Sequence, residues 1–317
     1  MTTLPHVAVI GAGQVGATAA HLLALKRLAD LTLIDVVDGL AQGKALDMRQ
    51  SAPIEQFDGT IRGTTDLGAV AGARVVVITA GLARKPGMSR EDLLAANATI
   101  IGPIAEQVAR HAPEAVLIVV TNPLDIMVAL ALKRTGFPRS RVMGMAGVLD
   151  SARLRAFIAE RASVSPSDVE AMVLGSHGDL MVPLNSSITV RGEPVARVIP
   201  EAELDHILQR TKDGGAEVVK LLKTGSAFYA PASGIVEMVG AILQDRHVVL
   251  PVCAWLDGEY GLRDVCIGVP AQLGAAGIER VVPMTLTNEE RAALVASAEE
   301  VRKGIKSLAT LPVGAKP

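Results

Sequence analysis

The chain has 317 residues and a formal charge of -2, which gives length for one large domain or two ordinary ones and no general basic field for a phosphate backbone. Its aromatic residues are four Phe, two Tyr and one Trp, so the core must be aliphatic and no aromatic platform exists for stacking bases; these features argue against nucleic acid as a partner. No unbroken apolar segment reaches membrane-spanning length, the first Lys or Arg is Lys26, and Cys253 and Cys266 lack metal-ligand spacing, so a cytoplasmic chain with reduced thiols and no membrane segment is expected.

In chain order, short β-rich runs alternate with longer helical stretches through the first half. HVAVI, LTLID, RVVVIT and AVLIVV read as strands, with QVGATAAHLLALKRL and REDLLAANATIIGPIAEQVARH among the helical connectors. Continuous apolar strands separated by helices imply a parallel sheet buried on both faces, an open doubly wound α/β architecture. From about residue 150 the rhythm changes to helical LDSARLRAFIAER, strand-like VEAMVLG and SITV, helices near 201–223 and 226–244, and a turn-rich VVLPVCAWLDGEYGLRDVCIGVP. Residues 1–149 are therefore expected to form a dinucleotide-binding domain and 150–317 an α+β substrate domain, with a cleft between them as the site.

VAVIGAGQVG at 7–16 fits strand, GxGxxG and helix: Gly11 makes the turn, Gly13 admits a pyrophosphate, and Gly16 permits close helix packing. Asp35 ends the next strand, where a carboxylate accepts from a ribose diol and repels a 2′-phosphate. Val36 and Val37 supply no compensating cation. A Rossmann-type fold binding NAD in preference to NADP is expected, although flavins use the same glycine fingerprint.

GLARKPGMSRED at 81–92 places Arg84, Lys85 and Arg90 on a glycine- and proline-hinged loop directly after a buried strand. Such cations are either solvated or part of a lid that closes on an anion. LGSHGDLMVP sets His177 among small residues after an apolar strand, and LDSAR offers Asp150 and Arg153 three positions apart on one helix. An acid could hold one imidazole nitrogen and leave the other for proton exchange, while an arginine could clamp a carboxylate.

The chain resembles the lactate/malate dehydrogenase superfamily, and within it the lactate-dehydrogenase-like malate dehydrogenases, through GAGQVG, the LID ending at Asp35, GLARKPGMSRED, VVTNPLD, GMAGVLDSARLR, LGSHGDLMVP, LLKTGSAFYAPA and GEYGLRDVCIGVPAQLG. The resemblance implies that His177 exchanges the proton, paired with Asp150, and that Arg153 anchors the substrate's C1 carboxylate. It implies that Arg90 polarises the reacting oxygen and that Asn122 bonds where cofactor and substrate meet; Asn97 joins the cofactor contacts. Arg84 matches the arginine of malate-specific relatives, where lactate-specific ones resemble a neutral amide, and so implies recognition of the C4 carboxylate of oxaloacetate. Malate or oxaloacetate as substrate, NAD as cofactor, no metal, and a homodimer or homotetramer follow as expectations. The alternatives are a lactate or broad 2-hydroxy acid dehydrogenase and a non-catalytic NAD-binding protein.

Overall fold

The computed structural model describes residues 4–83 and 87–308. Six parallel strands open the chain: β1 (His6–Ile10), β2 (Asp30–Ile34), β3 (Ile61–Thr64), β4 (Val75–Ile78), β5 (Val116–Val119) and β6 (Val142–Gly144), in the order β3-β2-β1-β4-β5-β6. Helices α1 (Gln14–Leu25), α2 (Leu40–Glu55), α3 (Arg90–His111) and α4 (Leu124–Thr135) connect them. Strand β4 shows why the sequence runs continuously apolar: Val75 and Val77 enter one core while Val76 and Ile78 enter the other. Strand order reverses between β1 and β4, and a crevice forms there outside the carboxyl ends of the strands.

Helix α5 (Gly147–Ala162) leads into short strands β7 (Val169–Glu170), β8 (Val173–Gly175), β9 (Met181–Pro183), β10 (Thr189–Val190) and β11 (Glu193–Pro194). Helices α6 (Glu201–Leu222) and α7 (Tyr229–Leu243) follow, then strands β12 (Val248–Asp257), β13 (Arg263–Gly274) and β14 (Gly277–Val281), and helix α8 (Asn288–Leu308). The stretch expected to be turn-rich is instead a long antiparallel hairpin, β12 on β13, with its turn confined to Gly258–Gly261. Pro251 lies opposite Pro270 in that ladder, so two residues that suggested turns are strand residues whose burial and pairing override local preference. The run VEAMVLG is likewise two strands and not one, because β7 pairs β10 while β8 joins the large sheet.

The sheet does not end with its six parallel strands. Cys253 of β12 pairs antiparallel with Gly144 of β6, and the sheet continues through β13, β8 and β9. Helix α7 packs on α1, and α8 packs on α4, β8, β9 and β13, so the two halves share a broad interface. That continuity fixes residues near the end of β8 relative to the ends of β5 and β6.

Candidate active site

The glycine turn is built as its spacing suggests. Gly11 has φ +105°, and a Cβ there would lie 2.5 Å from Ala80 N; at Gly16 a Cβ would run into the Gly11 carbonyl. Gly13 differs, since a Cβ would meet nothing within 4 Å, so its bareness leaves the outer face of the turn open to a ligand instead of serving internal packing. Asp35 sits beside the turn: the Ala12 N–H donates to Oδ2 at 2.7 Å and the Val37 N–H to Oδ1 at 3.0 Å. Each carboxylate oxygen keeps a second lone pair, and the exposed turn plus acceptor fit the pyrophosphate and ribose of a dinucleotide. Lys44 Nζ donates to the Ala12 carbonyl at 2.8 Å, a cation brought beside the turn from α2 that the immediate neighbours of Asp35, Val36 and Val37, do not disclose.

From this turn a band of contacts crosses the carboxyl ends of the strands. Thr79 Oγ1 donates to the Gly11 carbonyl at 2.9 Å, and Thr121 Oγ1 bonds the Ala80 carbonyl. Asn97 is fully buried; its Oδ1 accepts from Leu82 N at 2.7 Å while Nδ2 donates to the carbonyls of Leu82 at 3.1 Å and Asn122 at 2.6 Å. Both amide hydrogens of the expected cofactor contact thus bind the protein's own backbone, clipping the segment after β4 to the segment after β5. Asn122 is exposed at that junction, just before α4.

Asp125, in the first turn of α4, carries the band onward. Its Oδ2 accepts from His177 N at 2.9 Å, across 52 positions of sequence. The acid stands in the VVTNPLD motif, where its place at a helix N-terminus was legible but its partner was not. His177 lies in the turn between β8 and β9, where Ser176 N also donates to Ser297 Oγ of α8 at 2.8 Å. The imidazole Nδ1 lies 2.7 Å from Asp150 Oδ2, and the other carboxylate oxygen, Oδ1, takes Arg153 Nη1 at 3.3 Å. An ionised carboxylate only accepts, so Nδ1 is the donor and Nε2 is left for proton exchange.

Helix α5 delivers both Asp150 and Arg153. A Cβ at Gly147 would lie 2.7 Å from Pro251 Cβ, so glycine lets the first turn of α5 press against β12 and carry Asp150 beneath the imidazole. The cluster is enclosed: side-chain exposure is 2% for Asp150, 15% for Arg153 and 18% for His177. Burial is the largest influence on His177 and disfavours its charged form. The charge and hydrogen bond of Asp150, with the charge of Asp125, outweigh burial and the opposing Arg153, and the imidazole pKa is raised. Burial also lowers the Arg153 pKa against the pull of Asp150, yet a guanidinium keeps its charge at neutral pH.

The loop side is different. Arg90 is the first residue of α3, set there by a capping box in which Asp92 N donates to Ser89 Oγ and Ser89 N donates to Asp92 Oδ2, each at 3.0 Å. Its guanidinium pairs with Asp179, and the two side chains are 68% and 76% exposed, so it is not in the buried cluster. Arg84 lies outside the described residues. A separate cavity of about 500 Å³ between α5 and α6, lined by Phe157, Glu160, Arg161, Glu203, His206 and Arg210 among others, contains none of the expected site residues.

Two sequence profiles match end to end: residues 5–144 match the lactate/malate dehydrogenase NAD binding domain, and residues 147–311 the α/β C-terminal domain of the same family. The chain belongs to the lactate/malate dehydrogenase family. It is 51% identical over 302 residues, 95% of this chain and 98% of the relative, to a malate dehydrogenase of Desulforudis audaxviator. Its fold superposes with a TM-score of 0.95 on malate dehydrogenase from Cryptosporidium parvum, at 41% identity over 98% of this chain and all of that one. It also superposes at 0.95, with 40% identity over the same shares, on the lactate dehydrogenase of that organism solved with lactic acid and nicotinamide adenine dinucleotide. Fold likeness therefore places the chain in the family without separating the two substrates, and the separation has to come from side chains.

Proposed function

We propose that the chain is an NAD-dependent malate dehydrogenase that reversibly interconverts (S)-malate and oxaloacetate. The observation that carries the reading is the enclosed His177–Asp150 pair at 2.7 Å, joined by a continuous band of contacts to the open glycine turn. A binding module would have no use for an imidazole held in one tautomer beside a buried arginine. NAD, when bound, supplies the hydride acceptor for malate and, reduced, the hydride donor for oxaloacetate. Gly11, Gly13 and Gly16 form its cradle, and Asp35 accepts its ribose hydroxyls in the role that favours NAD over NADP.

His177 Nε2 takes the proton of the substrate hydroxyl as the C–H bond yields its hydride, and Asp150 stabilises the imidazolium that results. In the opposite direction protonated His177 returns that proton to the carbonyl oxygen. Arg153 holds the C1 carboxylate with the donors of its fork not engaged by Asp150. Arg90 leaves Asp179 to polarise the reacting oxygen, while Asn122, its carbonyl gripped by Asn97, presents its side chain at the junction of cofactor and substrate. Arg84 pairs with the C4 carboxylate and thereby selects a dianion over pyruvate.

The exposed apolar side chains Ile54 on α2, Leu221 on α6 and Tyr229 on α7 suit burial against another copy, in a homodimer or homotetramer. Buried, unbridged Cys253 and Cys266 suit the reducing cytoplasm. The direct test follows NADH absorbance with oxaloacetate and, separately, with pyruvate. Rapid oxidation with oxaloacetate is expected. Preference for pyruvate would make the chain a lactate dehydrogenase, and no turnover of any 2-keto acid would make it a binding protein.

A further inference from the structure

Asp125 is 5% exposed, and burial raises its pKa against the His177 N–H bond, the Cys253 thiol beside it and the charge of His177. Its Oδ2 is occupied by the His177 N–H, whereas Oδ1 is buried with no N–H or O–H donor among the described residues, and the Cys253 thiol, a weak donor, is the carboxylate's other polar neighbour. An ionised carboxylate held in this way is costly, because a neutral amide or hydroxyl could accept the same N–H without a desolvated charge. Tethering the loop backbone alone does not explain an acid here. What an ionised acid adds is a second negative charge close to His177, the group whose charge changes in the proposed reaction.

We propose that Asp125 is a positioning residue for the proton step, fixing the backbone of His177 from α4 and stabilising its imidazolium together with Asp150. The inference rests on the proposed dehydrogenase reading. The two acids divide the work: Asp150, on α5, holds the ring at Nδ1, and Asp125 holds the main chain. Arg153 on α5 is the opposing charge, Asp179 lies on the same loop as His177 but is engaged by Arg90 of α3, and α8 contributes only the neutral Ser297. A desolvated carboxylate is then the structural cost of placing an acid where a neutral amide could also accept the loop's N–H.

The test is Asp125→Asn in the full-length protein. Asparagine can present its oxygen to the His177 N–H and its amide hydrogens to the Cys253 sulfur, so the fold should survive while the charge is lost. Two readouts are compared with wild type: kcat and KM for oxaloacetate reduction, and the pH dependence of His177 acylation by diethyl pyrocarbonate, taken as the difference from His177→Asn protein. A fall in kcat of at least about tenfold is expected, with KM for NADH within about twofold, and the acylation midpoint should move to lower pH. Wild-type kcat with an unmoved midpoint would show that Asp125 is only a tether and would overturn the proposal. Asp125→Ser repeats both readouts if the amide fails to pack, and failure of both variants to fold would assign Asp125 to stability instead. Should the wild type reduce no keto acid, the functional reading falls, while the acylation midpoint still decides the role of Asp125.

Discussion

The two sides of the site are built in opposite ways. On one side Asp150, Arg153 and His177 are enclosed, and the imidazole loop is pinned from α4 and α8, so the proposed proton-handling group is held in place by the fold itself. On the other, Arg90 extends into solvent from the first turn of α3 and pairs with Asp179 in an exposed contact of the kind worth about 1 kcal/mol or less. Little energy holds that arginine away from the pocket. The contrast sets an enclosed, pinned cluster against an exposed arginine held by one ion pair, the arrangement expected if closure is to exclude water around a base whose strength depends on its surroundings.

The largest effect should come from the enclosed side. His177→Asn should lower turnover by about a hundredfold or more while NADH binding, followed by fluorescence titration, stays close to wild type, because the proton step is lost and the glycine cradle lies elsewhere. Equal loss of NADH affinity would mean that the two regions are not separable. On the loop side, Arg84→Gln should change the oxaloacetate-to-pyruvate ratio of kcat/KM by tens- to thousands-fold. Removing one partner of a desolvated charge pair costs about 2 to 5 kcal/mol. An unmoved ratio would place discrimination of the second carboxylate elsewhere in the pocket and remove the contrast between the two sides.

How much of this was legible depends on distance along the chain. The glycine turn, Asp35 and the span of α3 are local patterns, in which steric demand, hydrogen-bond spacing and periodicity act within one unit, and these features lie where the sequence suggested. Asp150 and Arg153 are one helical turn apart and share a face for the same reason. By contrast, the grip of Asp125 on His177 spans 52 positions and depends on the sheet continuing from β6 into β12, which no local periodicity encodes. Lys44 reaches Ala12 from α2, and Asp179 takes Arg90 across 89 positions, for the same physical reason. The β12–β13 hairpin was obscured by Pro251, Pro270 and its glycines, whose local preferences are overruled by cross-strand pairing and burial. Asn97 carried an amide suited to a ligand, and only the fold reveals that the backbone has claimed it.

The pH dependence of both reaction directions tests the enclosed pair most directly. Asp150 and Asp125 raise the His177 pKa despite burial, so the group should titrate above the ordinary histidine value of about 6.5. Malate oxidation needs the neutral base, and its kcat/KM should rise as pH increases through that point. Oxaloacetate reduction needs the protonated acid and should fall through the same point, giving mirrored profiles from one group. Profiles that move in the same direction, or a shared midpoint below the ordinary value, would contradict a preassembled His177–Asp150 pair as the proton-handling centre.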